Sequence, residues 1–459
     1  MNKRTQSTKN RKKKVSIEDN WPLINPDAAG IDLGSREHWV AVPRSRSQQP
    51  VRRFGTFTAD LEALADWLKE CQIISVAMEA TGVYWIPVFQ ILERRGFKVL
   101  LVNARQTKNV SGRKSDVLDC QWIQRLHTYG LIGGSFRPAD PYCVVRSYLR
   151  YRDELVGARS TQIQHMQKAL LQMNIQLAHV LSDLSGVSGL AILEAIIKGE
   201  RSPLKLAALA HRRLKCSAQN LAKALVGDYR DEHLFVLASA YELYQQYNRK
   251  IEDCDQKIAL EVSKLPDKVD VQSKPVPPKP NKAGLSAELH ENLYRKLGVD
   301  ITAIESFGPV VALTVLTEVG PDLSRFATEK HFTSWLGLCP DNRISGGKVL
   351  SCRTRRVINR LTDILRMAAT TLERSQSALG AYFRRMKAKL GAAEGITATA
   401  HKLARILYRL LKHGEAYVKE GLADYERKHQ TRKLKGLQKA AASLGMQLIA
   451  LQPTANPVS

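Results

Sequence analysis

The chain lacks any apolar run near the roughly 18 residues of a membrane-spanning helix; Val310 to Leu316 is among its greasiest stretches and is far too short. The N-terminal MNKRTQSTKNRKKK carries no apolar segment of the kind a secretory signal requires. No CxxC pair occurs, and the seven cysteines are an odd number, which argues for a reducing cytoplasm and against a structural zinc site. Acids are scarce: 44 Asp and Glu face 70 Lys and Arg, a formal net charge of +26 over 459 residues. A chain so basic repels itself unless a polyanion offsets the charge. Nucleic acid is the leading partner, with an anionic membrane surface as the alternative and no membrane span. Hydrophobic residues at 44% exclude wholesale disorder, and the length predicts two or three domains.

Residues 1–26 read as a basic, disordered arm, with Lys3, Arg4, Lys9 and Arg11 to Lys14 and no acid before Glu18. Over 27–144 the pattern is α/β. AAGIDLG, HWVAVP, VRRFGTF, IISVAMEA and FKVLLV are short β-rich runs, with amphipathic stretches at 60–70 and 84–95. Three early strands in succession predict an antiparallel meander. The later strand–helix–strand alternation predicts a parallel extension, and so a mixed sheet flanked by helices.

Residues 145–265 read as helical with a coiled-coil seam. Positions 149, 152, 156, 159, 163, 166, 170, 173, 177 and 180 are apolar in eight of ten cases, and Leu237, Tyr244, Ile251, Ile258 and Leu265 repeat at seven. The seam could close as a hairpin within one chain or between chains; the balance favours an interchain contribution. Residues 266–284, with five prolines and four lysines, predict a semi-rigid extended linker. Residues 285–425 read as short helices followed by longer ones at 354–376, 379–390 and 395–413, and 426–459 as a basic, loosely ordered tail.

Two constellations carry chemistry. Asp32 ends an apolar run in GIDLGS, Glu79 ends ISVAMEATG, and Asp116 and Asp119 lie three apart at the start of a predicted helix, hence on one face. Gathered carboxylates are costly unless cations neutralise them, and hard oxygen ligands suit Mg²⁺ or Mn²⁺. Singly, each acid reads more simply as a turn former or a helix-dipole partner. The basic segment between them carries Arg105, Lys108, Arg113 and Lys114, which places positive charge for a phosphate backbone next to the acids. The second constellation is Ser345, in a loop before a helix, followed by Gly346 and Gly347. From Arg343 to Arg366 there are seven basic residues, among them Lys348, Arg353, Arg355 and Arg356, and one acid, Asp363. A serine hydroxyl attacks phosphorus when it is held in line and cations stabilise the developing charge. A plain flexible turn is the simpler alternative, and Ser351 competes for the role. A third feature is Gly308 in a Gly-Pro turn between two short apolar runs. It suggests a helix-hairpin-helix-like element whose amides take phosphate.

GIDLGSREHWVAVP and MEATGVYWIPVFQILERRGFKVLLVNARQTKNVSGRKSDVLDCQWIQRL closely resemble the N-terminal domain of the IS110 insertion-sequence transposases. FGPVVALTVLTEVGPDLSRFATEKHFTSWLGLCPDNRISGGK resembles that family's C-terminal domain. The resemblance covers roughly 28–140 and 300–415; the longer middle region and the Pro-rich linker depart from shorter members. It implies an RNase H-like (RuvC-like) α/β domain with a DEDD metal site on Asp32, Glu79, Asp116 and Asp119, then a coiled-coil region and a mostly helical second domain whose serine is Ser345. It further implies recombination of donor and target DNA through a phosphoserine link, guided by a structured bridge RNA, in a dimer-to-tetramer assembly within a prokaryotic, nucleoid-associated cytoplasm. The family includes the Piv pilin-gene invertases, so inversion without transposition is an alternative. So is a metal-dependent nuclease that uses activated water.

Overall fold

The computed structural model describes residues 22–80, 82–103, 116–211, 214, 216–414, 427, 430–431 and 434–448; Asp116 and Arg343 are described in backbone only. Most of the basic arm, together with Arg105, Lys108, Arg113 and Lys114, lies outside the described residues. The chain divides into two compact units, Met1–Arg137 and Pro138–Ser459.

In the first unit, β1 (Ala28–Leu33), β2 (Glu37–Ala41), β3 (Val51–Gly55), β4 (Ser75–Glu79) and β5 (Lys98–Val102) form one sheet in the order β3-β2-β1-β4-β5. The first three pair antiparallel, and β4 and β5 extend the sheet in parallel. The parallel step needs a crossover, and α1 (Thr58–Glu70) and α2 (Trp85–Arg94) follow β3 and β4 in the chain. Both helices lay their apolar stripes, Leu61, Leu64 and Leu68 with Val88, Phe89 and Leu92, against the sheet face that presents Ile31 and Met78. The opposite face takes α3 (Asp116–Thr128), where Ile123 and Leu126 pack with Ala77 and Val102. A mixed α/β unit with one five-stranded sheet results.

In the second unit, α4 (Asp140–Gln172) and α9 (Asp231–Lys264) run antiparallel as a long hairpin. The seam is thus filled within the chain: Leu149, Met166 and Leu170 are buried on one helix, and Leu237, Tyr244, Ile251 and Ile258 on the other. Its two basic positions find partners across the hairpin, Arg152 on Asp255 (3.1 Å) and Arg159 on the side-chain oxygen of Asn248 (3.0 Å). Between the long helices, α5 (Leu177–Val180), α6 (Val187–Ile197), α7 (Pro203–Ala208) and α8 (Ala218–Ala224) close a core around Ile175, Ile192, Leu193 and Leu225.

The Pro-rich segment is held by its lysines. The ammonium groups of Lys268, Lys274 and Lys282 donate to the carbonyls of Pro321 (3.0 Å), Gly298 (3.1 Å) and Phe307 (2.6 Å). Beyond it come α10 (Ala287–Leu297), α11 (Pro309–Glu318), α12 (Glu329–Trp335), the hairpin β6 (Arg343–Ser345) and β7 (Lys348–Ser351), α13 (Arg360–Thr371), α14 (Ala378–Leu390) and α15 (Ala392–His413). Residues 434–443 of the tail are helical.

Two expectations are corrected here. Gly308 is preceded by a single 3-10 turn, Ile301–Ala303, and not by a helix, so the helix-hairpin-helix-like element is reduced to a turn followed by α11. Asp300 caps the start of that turn by accepting from the Thr302 amide, and the turn stops at Ile304, which is extended. The helix expected from 354 begins at Arg360, because Asn359 is extended and its side chain accepts from the amides of Leu361 and Thr362.

Candidate functional site

The acids are positioned by sheet register. Ile31 lies opposite Met78 in the parallel β1–β4 pair, so Asp32 and Glu79, one residue on, leave neighbouring strands at the same end of the sheet. Strand alternation turns them away from the α1–α2 core and onto the α3 face. There the helix comes very close. A Cβ on Gly30 would sit 2.3 Å from the Gln124 nitrogen and 2.5 Å from the Cys120 oxygen, so only glycine lets α3 pack on β1. Gly30 is the residue sequence reasoning passed over; its signal was a glycine inside an apolar strand, two residues before a carboxylate.

That contact brings Asp119, in the first turn of α3, to the end of the sheet where Asp32 lies. The Cys120 thiol registers both: burial first, then the Asp32 charge and, more weakly, Asp119, push its pKa up to about 12. Asp32, Glu79 and Asp119 are all half-buried, accessible to solvent yet partly desolvated. Their oxygens are the donor chemistry a hard divalent cation takes. Among the described residues, however, no three His, Cys, Asp or Glu side chains are grouped tightly enough to hold an ion. Asp116 follows the same helix face three residues earlier, and its side chain lies outside the described residues.

Ser345 is not in a loop before a helix. It ends β6, opposite Lys348, with the two-residue turn Gly346–Gly347 between them. Both glycines have positive φ, +55° and +77°, the combination that suits the twist of a tight hairpin and that other residues rarely adopt. The Ser345 side chain is exposed, as are Lys348, Arg353, Arg355 and Arg356. Ser351 is half-buried and its oxygen accepts from the Arg353 amide at 3.3 Å, which engages it within the turn. An isolated bridge between Pro340 and Thr354 closes the base of the hairpin. Gly308 caps the N-terminus of α11 in extended conformation, and Lys282 donates to the Phe307 carbonyl just before it. No helix among the described residues is long and apolar enough to cross a membrane.

Residues 29–175 match the DEDD transposase family of IS110 elements, described as a transposase. Residues 300–384 match a family described as "Transposase IS116/IS110/IS902 family". The chain is also similar to "Putative transposase y4pF/y4sB" of Sinorhizobium fredii, at 35% identity over 127 residues, 26% of this chain and 32% of that relative. The match thus spans about a third of the curated relative's length. The first match holds Asp32, Glu79, Asp116 and Asp119, and the second holds Gly308 and Ser345. With both parts present in order on one polypeptide, the chain belongs to the IS110 family of transposases.

Proposed function

We propose that this chain cuts and rejoins DNA through a covalent link to Ser345, assisted by a divalent cation held by Asp32, Glu79, Asp116 and Asp119. The observation that carries the reading is that Asp32 and Glu79 leave neighbouring strands at one sheet end, while Cys120, next to Asp119, feels the Asp32 charge, all inside the stretch that matches the DEDD family. The strand order, an antiparallel triplet extended by two parallel strands, is compatible with an RNase H-like domain. Mg²⁺ or Mn²⁺ bound there would neutralise the acids and draw charge from a phosphodiester.

The chain's own part follows from the hairpin. Ser345 Oγ forms a bond to phosphorus, and the ester oxygen of the cut strand leaves as a hydroxyl, taking up the proton that the serine gives. Reversal by another strand's hydroxyl reseals the backbone. Lys348, Arg353, Arg355 and Arg356, with Arg343, supply the positive charge that the crowded phosphorane needs. The turn at Gly346 and Gly347 lets a phosphate approach the backbone closely. Arg105, Lys108, Arg113, Lys114 and the Gly308 amide turn serve as further backbone contacts.

Target choice by a bridge RNA accords with a chain rich in phosphate-seeking charge and without an evident base-reading motif. A dimer-to-tetramer assembly would let one protomer's serine work with another's acids. The test is a denaturing gel of the full chain with its element's DNA, divalent cation and copurified RNA. A protein–DNA adduct that disappears in Ser345→Ala while duplex binding stays within about twofold supports the reading. Cutting that persists in Ser345→Ala with no adduct replaces the serine by metal-activated water. Product DNA with the intervening segment reversed identifies an invertase.

A further inference from the structure

A row of side chains crosses the sheet beside the acids. Trp39 of β2 pairs with Asp32 of β1, Arg53 of β3 pairs with Trp39, and Glu79 of β4 continues the register on the far side of Asp32. Directly paired residues share a face, so Arg53, Trp39, Asp32 and Glu79 stand abreast on the α3 face, in the order cation, aromatic ring, acid, acid. Their sequence neighbours point the other way: Val40 joins the α1–α2 core, Phe54 packs against it, and Arg52 lies 4.9 Å from the Trp67 ring centroid. Glu37, two residues before Trp39 and on its face, holds both of the outer side chains. One of its oxygens accepts from the Trp39 Nε1 at 3.1 Å, and the other accepts from Arg53 Nη1 at 3.2 Å.

This trio adds little to the core. Among the described residues, the apolar cluster on the α3 face is built from Ala77, Val102, Ile123, Leu126 and Ile132, and Trp39 stands outside it, half-buried. The Arg53–Glu37 pair is open to water, with side chains 64% and 39% exposed, so screening leaves it a small part in stability. An indole and a guanidinium aimed beside carboxylates suit a nucleic-acid strand instead: the ring takes a base and the fork takes backbone oxygens. Because β3 is the sheet edge, the strip runs inward from that edge to the acids. Neighbouring strands lie about 4.8 Å apart, which puts Arg53 roughly 10 Å from Asp32 across the sheet, on the order of two to three nucleotides along a strand. We propose that Trp39 and Arg53 form a binding strip for the DNA strand being cut. The indole stacks on a base beside the reacting phosphate, and Arg53 holds the backbone one step further out. Glu37 orients both. The strip deepens the nucleic-acid reading above and rests on it; both are positioning residues and take no part in bond breaking.

The test uses the full chain with copurified RNA, its element's DNA and divalent cation, with iododeoxyuridine placed in turn at each nucleotide flanking the cut. Irradiation crosslinks this base to stacked aromatic side chains, and a Trp39 peptide should appear by mass spectrometry from a position within about three nucleotides of the cut. Trp39→Leu should raise the KM for DNA roughly tenfold while kcat stays within about twofold, and Trp39→Phe should restore most of the loss because a smaller ring still stacks. Arg53→Gln should make the log–log salt slope of binding shallower by about 0.7 to 0.9, and Arg53→Lys should keep it. Three results overturn the strip: crosslinks that never reach Trp39 although the DNA is cut, an unchanged KM in Trp39→Leu or an unchanged slope in Arg53→Gln, and failure of Trp39→Phe to restore KM, which would make the indole a packing residue. An unaltered chain that neither binds nor cuts DNA refutes the nucleic-acid reading instead.

Discussion

At the residue scale, Gly30 sets the approach of α3 to the sheet more strictly than any charged group does. Gly30→Ala would push its methyl into the Gln124 and Cys120 backbone, where nothing flexible can yield. Such overpacking costs about 1–3 kcal/mol, and the same displacement carries Asp119 away from Asp32. We expect a lower urea midpoint together with loss of cation-dependent cutting. A variant with native stability and activity would show that the helix is not seated as described. Glu79→Gln keeps shape and removes charge, so it should lose cutting and retain DNA binding in a filter assay; equal losses in both would make Glu79 structural. Histidines give a pH signature in the same unit. His38 and His127 are buried, with His127 Nε2 3.0 Å from Ser75 Oγ, and burial lowers the pKa of both. A lowered value means the unfolded chain takes up protons first. Stability contributed by the neutral rings is therefore full above about 6.5 and declines as pH falls from there through the folded values. Melting temperatures measured from pH 7.5 to 5 should fall, and His127→Gln should flatten part of that fall.

At the scale of elements, the α4–α9 hairpin shows how a seam selects its partner. Leu170 is 2% exposed and Leu171 49%, so adjacent leucines of one helix have opposite fates. Leu170→Ala should cost about 2–5 kcal/mol and Leu171→Ala under about 0.5, read from denaturant midpoints. Comparable costs at both would mean that a second chain covers the outer face. The next junction depends on Lys296, 2% exposed, whose ammonium donates to the Ser263 carbonyl (3.0 Å) and to Leu265 and lies 2.7 Å from Asp267. It caps the C-terminal carbonyls of α9 from α10, a favourable place for a cation. The β6–β7 hairpin follows a different logic. Its glycines match a tight turn, yet Ile344, Val349 and Leu350 are exposed, so local turn chemistry and not core burial forms it.

At the scale of the whole molecule, the net charge of +26 is the quantity through which the proposed nucleic-acid binding is tested. If phosphate contacts supply most of the affinity, log K falls by about 0.9 per contact for each unit of log salt on duplex DNA. A nearly flat dependence would remove electrostatics as the source of binding. The carboxylate at the α12–α15 junction adds an acid limit. Burial raises the Glu329 pKa, but hydrogen bonds from Arg409 and Arg405 outweigh it, and the net value lies below the usual one. Its contribution is present above the unfolded carboxylate range and is lost as pH falls through the folded value.

Much of this protein follows from local pattern. Five β-rich runs bounded by glycine and polar residues became the five strands of the sheet, because period-two burial and turn chemistry are short-range properties. The helical seam was equally legible, since its spacing is written in consecutive residues. Only the folded chain decided which helices share that seam, because equal apolar stripes can pair within a chain or between chains. Tertiary packing also decided that α3 seats across Gly30 with Asp119 at the Asp32 end of the sheet, that Ser345 ends a strand, and that Arg405 and Arg409 of α15 converge on Glu329 of α12. Each of these joins residues far apart in sequence through register or close backbone approach, quantities to which no single stretch of residues refers.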